Sequence, residues 1–527
     1  MNNDNRSPLT LRGILIGILG LSVITASSMY VALKMGALPW PTVFVTVVSM
    51  AILGKLKDST LMEINCTHTL MSAGAMVAGG LAFTLPGLWI ANPEAEMSFI
   101  SIAMIAATGA MLGILFTSLF RKKLIEEDKL PYPMGIAAYK TLIAGKEGKG
   151  APLLFSSMGF SAIFTYLRDK VMLFPSTLTL FKGGAAIPPL YLWVSPMALS
   201  IGAIIGPSLA IMWFLGSILG YYVITPIGLK AGFFETMAQA DIFRSNLGLG
   251  LMIGTGAGVA IKAIIKAMKA SKGERREINK RSLLAIIAVS GASIILLPLA
   301  TEITVLEACL LILGSYLASY LSGMLTGQTG VNPLEVFAII VLLFIVSVLS
   351  PTMKACFSIA AVVAVASGLT GDVMNDMKSG SLIGTEPKHQ LIVEALGGLL
   401  GAFIASFTLI VLKDSFGGFG TAELPAPQAA SVALMMGGIG DKTAFFSGVV
   451  IGIILYLLNA PSATLGLGFY LSTSISSIMA LGAIITAVIQ KISKNMKSRA
   501  DKISLISAGL LGGEGITGVI IAIASML

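Results

Sequence analysis

The chain has 527 residues, 55% of them hydrophobic and only 12% charged, with a formal net charge of +9. Soluble domains carry about twice that charged fraction, and a mean hydropathy of +0.90 leaves little room for one. The positive charge therefore reads as basic loops beside a bilayer, and nucleic acid is not expected as a partner. Three cysteines and two histidines are scattered widely, so no disulfide framework and no metal cluster are expected.

In chain order, long apolar runs recur at Gly13–Ala32, Pro41–Leu53, Phe99–Phe120, Leu283–Leu299, Val336–Leu349 and Leu391–Leu412. Each approaches the roughly 20 residues that cross about 30 Å of hydrocarbon as a helix. The runs do not alternate, which excludes a transmembrane barrel. The first follows Arg6 and Arg12, but a second comes at once, so it reads as a span and not as a cleaved leader. The expectation is an all-α, polytopic integral membrane protein with about 14 to 16 membrane-spanning or re-entrant segments. Its lipid bilayer would be the cytoplasmic membrane of the cell, and a homodimer is compatible with such a chain.

Loops rich in Lys and Arg stay in the cytoplasm. "GKLKDS", "FRKKLIEEDK", "KAMKASKGERREINKR" and "KISKNMKSRADK" qualify, whereas "ANPEAEMS" is acidic and reads as outside. "LPYPMGIAAYKTLIAG" is short and carries Pro131 and Pro133. It reads as a half-helix or re-entrant segment, which membranes tolerate where protein or a cavity surrounds it. No Walker loop, dinucleotide fingerprint or HExxH motif occurs, so an ATP-driven pump would need another subunit.

The halves echo one another. "KMGALPWPTVFV" resembles "QTGVNPLEVFAI", "TLMSAGAMVAGGL" resembles "FSIAAVVAVASGL", and "GLMIGTGAGV" resembles "GLLGGEGITG". The last pair flanks basic loops from opposite sides, so the two would cross in opposite directions. Two inverted repeats, 1–275 and 276–527, are the expectation. Such repeats commonly meet at the midplane and rock to give alternating access.

Several stretches carry a family resemblance: "SSMYVALKMGALPWPTV", "LMEINCTHTLMSAGAMVAGGLAFTLPGLWI", "LPYPMGIAAYKTLIAG", "GDVMNDMKSGSLIGTEPKHQLIVEALGGLLGAF", "GLGFYLSTSISSIMALGAII" and "GLLGGEGITGVI". In this order they resemble the oligopeptide transporter (OPT) superfamily, on its yellow-stripe-like and prokaryotic side. His68 stands where Gln is usual, Gly371 where Ser is usual and Asn375 where Gln is usual. The resemblance implies a secondary transporter importing small peptides or metal–chelate complexes, with a proton gradient as energy source and no cofactor.

Ionisable groups within spans are costly and mark working sites or partners. Glu63, Asn65, Thr67, His68 and Thr69 open the third span, with Glu63 and Thr67 on one face. Glu63 reads either as an acid on the helix dipole or as a substrate or proton group. Asp372 and Asp376 stand four apart. If poorly solvated, they form a coupled pair in which at least one carboxyl holds its proton more tightly. Lys378 would relieve that repulsion, and Gly368, Gly371 and Gly380 would let the helix unwind there. The bland alternative is a solvated helix end. Pro387 marks a helix start, placing Glu394 about 12 Å along it. Glu514 sits between Gly513 and Gly515. Glu307 and Glu335 are weaker candidates, and Lys34 and Lys140 could attract a carboxylate or snorkel to a headgroup. The methionines read as packing. A passive pore and an intramembrane lipid-processing enzyme are the rival readings. A channel would lack counterflow, and an enzyme would need a nucleophile–base pair or paired acids around a metal, for which Asp372 and Asp376 are the one hint.

Overall fold

The computed structural model describes residues 7–36, 38, 42–145, 151–184, 187–269, 280–329, 332–437, 441–492 and 496–526. In chain order the helices are α1 (Leu11–Met35), α2 (Thr42–Leu53), α3 (Leu61–Ala82), α4 (Pro86–Ala91), α5 (Phe99–Arg121), α6 (Pro133–Gly145) and α7 (Ala151–Asp169). Strands β1 (Thr177–Phe181) and β2 (Leu190–Trp193) follow. Then come α8 (Pro196–Ile205), α9 (Pro207–Ser217), α10 (Thr225–Lys230), α11 (Met237–Lys269), α12 (Lys280–Ala300), α13 (Val305–Thr329), α14 (Leu334–Val348), α15 (Met353–Ile383) and α16 (Pro387–Ser415). The last are α17 (Pro427–Gly437), α18 (Lys442–Leu457), α19 (Ser462–Tyr470), α20 (Thr473–Ile492) and α21 (Met496–Met526).

The chain is an all-α polytopic membrane protein. Among the described residues nine helical stretches are long and apolar enough to cross a bilayer, with three shorter apolar helices at Pro196–Ile205, Leu334–Val348 and Lys442–Leu457. The β1–β2 hairpin is antiparallel, with Thr177 opposite Trp193. It is an addition that the apolar periodicity does not announce. The short "LPYPMG" segment forms α6, whose 13 residues reach about 20 Å, too short to cross.

Helix ends follow local chemistry. Thr10, Thr60, Ser98, Ser195, Thr352 and Asp441 are N-caps whose side chains accept a backbone N–H, relieving the first-turn donors. At α13, Thr304 and Glu307 form a reciprocal capping box: Thr304 N donates to Glu307 Oε2 at 2.7 Å and Glu307 N to Thr304 Oγ1 at 3.3 Å. Gly384, at φ 95°, closes α15 in the left-handed region. Outside the spans, the Thr352 hydroxyl and then Lys354 hold the Glu302 carboxyl below its ordinary range. That contact ties the α12–α13 turn to the start of α15.

Two compact units interleave along the chain. One takes Met1–Ala151, Lys272–Met436 and Ala522–Leu527, and the other Pro152–Ser271 and Gly437–Ile521. In the first, α3 packs on α1, α15 and α16, and α15 also packs on α5, α13 and α14. Helix α15 is the most enclosed, its most apolar window wholly buried, whereas only 11% of the α12 window is. Asp372 and Asp376 on α15 therefore face protein, not lipid. In the second unit α11 packs on α18 and α19, and α20 on α8 and α9.

Small residues set the α3–α16 spacing. A Cβ on Gly401 would lie 2.6 Å from the Gly74 Cα, so the two backbones meet directly, as membrane helices do at small residues. Gly401→Val is expected to destabilise the first unit by about 1–3 kcal/mol, read as a lower melting midpoint of the detergent-purified protein. Gly159→Ala is the control, because its Cβ meets nothing within 4 Å, and its midpoint should not fall.

Candidate functional site

Within the first unit, three helices turn polar faces toward one another. On α3 these are Asn65, His68, Thr69 and Ser72; on α15, Asp372, Asn375, Asp376 and Ser379; on α16, Gln390 and Glu394. All ten are buried, none more than 1% exposed. Steps of three and four place each set on one helical face.

Asp376 is the hub. Ser72 Oγ donates to Asp376 Oδ2 at 2.6 Å, and His68 Nε2 lies 3.6 Å from Asp376 Oδ1. Gln390 Nε2 donates to the Asp376 carbonyl at 2.7 Å and to Thr69 Oγ1 at 3.3 Å. Ser379 Oγ donates to the same carbonyl at 2.8 Å and accepts from Asn65 Nδ2 at 3.1 Å. The Gly135 amide in the first turn of α6 donates to Asn375 Oδ1 at 3.1 Å. Glu394 lies within electrostatic reach of Asp376 and Asp372.

Many acceptors here have no partner of good geometry among the described residues. They are Asn65 Oδ1, both oxygens of Asp372, Asp376 Oδ1, Gln390 Oε1 and both oxygens of Glu394, with both His68 nitrogens. Buried polar groups are normally satisfied, and each one left unmade costs about 1–3 kcal/mol. Such a cluster calls for an explanation beyond packing and makes these residues the candidate site.

Three expectations need correction. Helix α15 runs unbroken from Met353 to Ile383, so the glycines there do not unwind it. They make room instead: a Cβ on Gly371 would meet Thr326 Oγ1 at 2.7 Å, and one on Gly380 would meet the Gln390 Cδ at 2.6 Å. Lys378 makes no ion pair with either aspartate among the described residues. It stands two residues past Asp376, on another face of the helix, with its Cβ beside Gly135. The solvated-end alternative fails as well, since Asp372 and Asp376 are both fully buried.

Glu63 stands apart from the cluster. Arg12 Nε donates to its Oε1 at 2.6 Å and Arg12 Nη2 to its Oε2 at 2.8 Å, with the Thr10 hydroxyl at 2.5 Å. It clamps α1 to α3, and Thr67 shares that face, close to Gly13. The N-cap is Thr60. Lys34 Nζ lies 5.7 Å from the Tyr30 ring and 6.0 Å from that of Phe416, a cation–π setting. The side chain of Lys140 lies outside the described residues. Glu335 opens α14, as Asn332 and Pro333 suggest, and the Asn332 amide donates to the Ser367 and Gly368 carbonyls.

In the second unit Glu514 of α21 is fully satisfied. Arg168 Nη2 donates at 2.9 Å, Ser195 Oγ lies 3.0 and 2.9 Å from its two oxygens, and Met197 N donates at 2.8 Å. The carboxylate thus caps the start of α8, where the helix dipole favours negative charge. Arg168 also pairs with Asp169 at 2.6 Å and donates to the Val194 carbonyl at 2.6 Å. Arg244, buried on α11, donates to the Phe469 and Tyr470 carbonyls at the end of α19 and covers the Tyr221 ring at 3.8 Å.

Comparison with known proteins decides the family. The family model described as OPT oligopeptide transporter protein matches residues 8–525. The chain belongs to the OPT oligopeptide transporter family. A Haemophilus influenzae protein named "Putative oligopeptide transporter" is 25% identical, covering 94% of this chain and 92% of the relative. As an OPT-family member the chain is a multi-pass membrane transporter, in agreement with the reading of its motifs. Sequence reasoning did not single out Ser72, Ser379, Gln390, Arg168 or Arg244. The polar period of three and four along otherwise apolar helices is the signal that finds the first three.

Proposed function

We propose that this OPT-family transporter is a proton-coupled secondary importer of small peptides in the cytoplasmic membrane, with the α3–α15–α16 cluster as its binding and coupling site. One observation carries the reading. Among the described residues, both oxygens of the buried acids Asp372 and Glu394 and the Oδ1 of Asp376 lack a hydrogen-bond partner of good geometry, their neighbours being Ser72, His68 and one another, whereas Glu514 is saturated. Groups left without partners in the protein are available to a proton and a substrate.

Among the described residues, the titratable side chains facing the cluster are His68 on α3, Asp372 and Asp376 on α15, and Glu394 on α16. Two carboxylates about 6 Å apart repel by roughly 3 kcal/mol at an effective dielectric of 20. A shared proton removes that repulsion, and releasing it to the other side of the membrane returns the site to its start. The name of the Haemophilus relative favours peptides. Metal–chelate complexes are the second substrate class that the motifs imply. We read the two halves, 1–275 and 276–527, as related repeats whose rocking would give alternating access.

Proteoliposomes test this. An inward proton gradient should concentrate alanine di- to hexapeptides above equilibrium, and counterflow should appear against saturating unlabelled peptide. Uptake that ignores the pH gradient and membrane potential yet follows sodium would overturn the proton assignment. Loss of counterflow would favour a pore. Accumulation of chelated iron, with no peptide uptake, would move the substrate to the chelate class.

A further inference from the structure

We infer that the α3–α15–α16 cluster binds its substrate through a cationic ammonium group, so that a free amine, not a carboxylate, is the recognised end. This rests on the cluster being the transport site. The argument is a donor–acceptor balance. Among the described residues the atoms without a partner of good geometry are seven oxygens, from Asn65, Asp372, Asp376, Gln390 and Glu394, against two nitrogens of one histidine, His68, whose Nε2 lies 3.6 Å from Asp376 Oδ1. An ionised carboxylate only accepts, and a neutral imidazole adds one donor. The residual chemistry is therefore acceptor-rich and negative.

A ligand that complements it must donate and carry positive charge. An ammonium offers three donors on one centre, and hydrogen bonds between ionised partners are about twice as strong as neutral ones. A substrate carboxylate would meet like charge and, among the described side chains, no free lysine or arginine here. Lys378 is on another face of α15, and Arg12 is already committed to Glu63. A bare metal ion fits less well: among the described residues no three His, Cys, Asp or Glu side chains are grouped as metal ligands.

The acid oxygens come from two helices. One ammonium between Asp372, Asp376 and Glu394, which lie within electrostatic reach of one another, would link α15 to α16 in a way that each carboxyl alone does not. The Asn65 and Gln390 amides lie beside Ser379 and Gly380, about two helical turns from Asp372, and would meet a more distant part of the substrate.

The test compares labelled alanine di- to hexapeptides in three forms: unmodified, N-acetylated and C-terminally amidated. Each is offered to proteoliposomes with and without an inward proton gradient. Unmodified and amidated peptides should enter at least tenfold faster than N-acetylated ones, and Glu394→Gln should shrink that ratio toward one in whatever uptake remains. Equal entry of the N-acetylated form would overturn the inference, as would loss of uptake on amidation alone or no entry of any form. Stimulation by sodium that is equal for acetylated and free peptides would assign the oxygens to an alkali cation and also overturn it. The gradient arm keeps the two readings apart. Discrimination by acetylation without gradient dependence sinks proton coupling and leaves ammonium recognition standing. Gradient dependence without discrimination does the reverse.

Discussion

Asparagine at Asp376 is expected to abolish accumulation of substrate against its gradient while leaving the protein folded. The change keeps the shape and an oxygen for Ser72 Oγ, which now donates to Oδ2 at 2.6 Å, but removes the charge. Asp372→Asn acts in the same direction, since its neighbour Ser72 keeps its 2.6 Å bond to Asp376 and an asparagine oxygen can still accept. Uptake driven by a proton gradient should fall below about a tenth of wild type, a change on the order of 1.4 kcal/mol or more. Exchange between equal pools should survive, because a permanently neutral site can still reorient with substrate. Replacing a buried like-charged carboxyl by an amide also relieves repulsion, so the melting midpoint should hold or rise. Wild-type accumulation by the double variant, at equal expression, would remove the pair from the coupling site and leave Glu394 as the remaining acid of the cluster.

Much of this is legible in the sequence. Apolar run length gave the membrane class, and the turn chemistry at Pro387, Asn332 and Pro333 marked helix starts that the fold keeps. Asp372, Asp376 and Glu394 stood out because ionisable groups in apolar surroundings need a reason. Partnership was not legible. Glu63 and Glu394 look alike in sequence, each an acid near the start of an apolar helix. Only packing shows that one meets Arg12 and the other meets further carboxyls. Glycine was also ambiguous. Gly371 and Gly380 could loosen a helix or admit a neighbour, and the choice rests on Thr326 and Gln390, which are distant in sequence or in another helix. The β1–β2 hairpin stayed hidden because its strands are short and its sequence, "TLTLFKGGAAIPPLYLW", reads equally as a loop between spans.

The two buried acid centres thus separate by their hydrogen-bond balance, and that balance sets what each substitution should do. In the cluster the acids carry surplus acceptors, so neutral isosteres should affect transport more than stability. At Glu514 every donor is matched to an acceptor, so the reverse is expected.

Glu514→Ala should therefore be the most destabilising single change. It strips three partners at once: Arg168 Nη2, Ser195 Oγ and the Met197 amide. Arg168 is only 4% exposed, so its charge would stay buried with Asp169 alone to face it. Removing one side of a buried ion pair costs about 3–5 kcal/mol, and the remaining pair with Asp169, 2.6 Å away, should hold the loss near the lower end of that range. The start of α8 loses its anionic cap as well. Thermal unfolding in detergent should show a clearly lower midpoint and a smaller monodisperse fraction. Glu514→Gln should be intermediate, since the amide still accepts from Ser195 or Met197 but cannot answer the guanidinium. The double variant Arg168→Met/Glu514→Leu should recover most of the loss, because an apolar pair of similar volume leaves no fully buried charge, and the Asp169 carboxylate that loses Arg168 is 29% exposed and can turn to water. In the recovered double variant, transport per folded molecule should remain proton-driven. A wild-type midpoint in Glu514→Ala, or a fully stable Glu514→Gln that has lost accumulation, would instead make Glu514 a member of the coupling machinery.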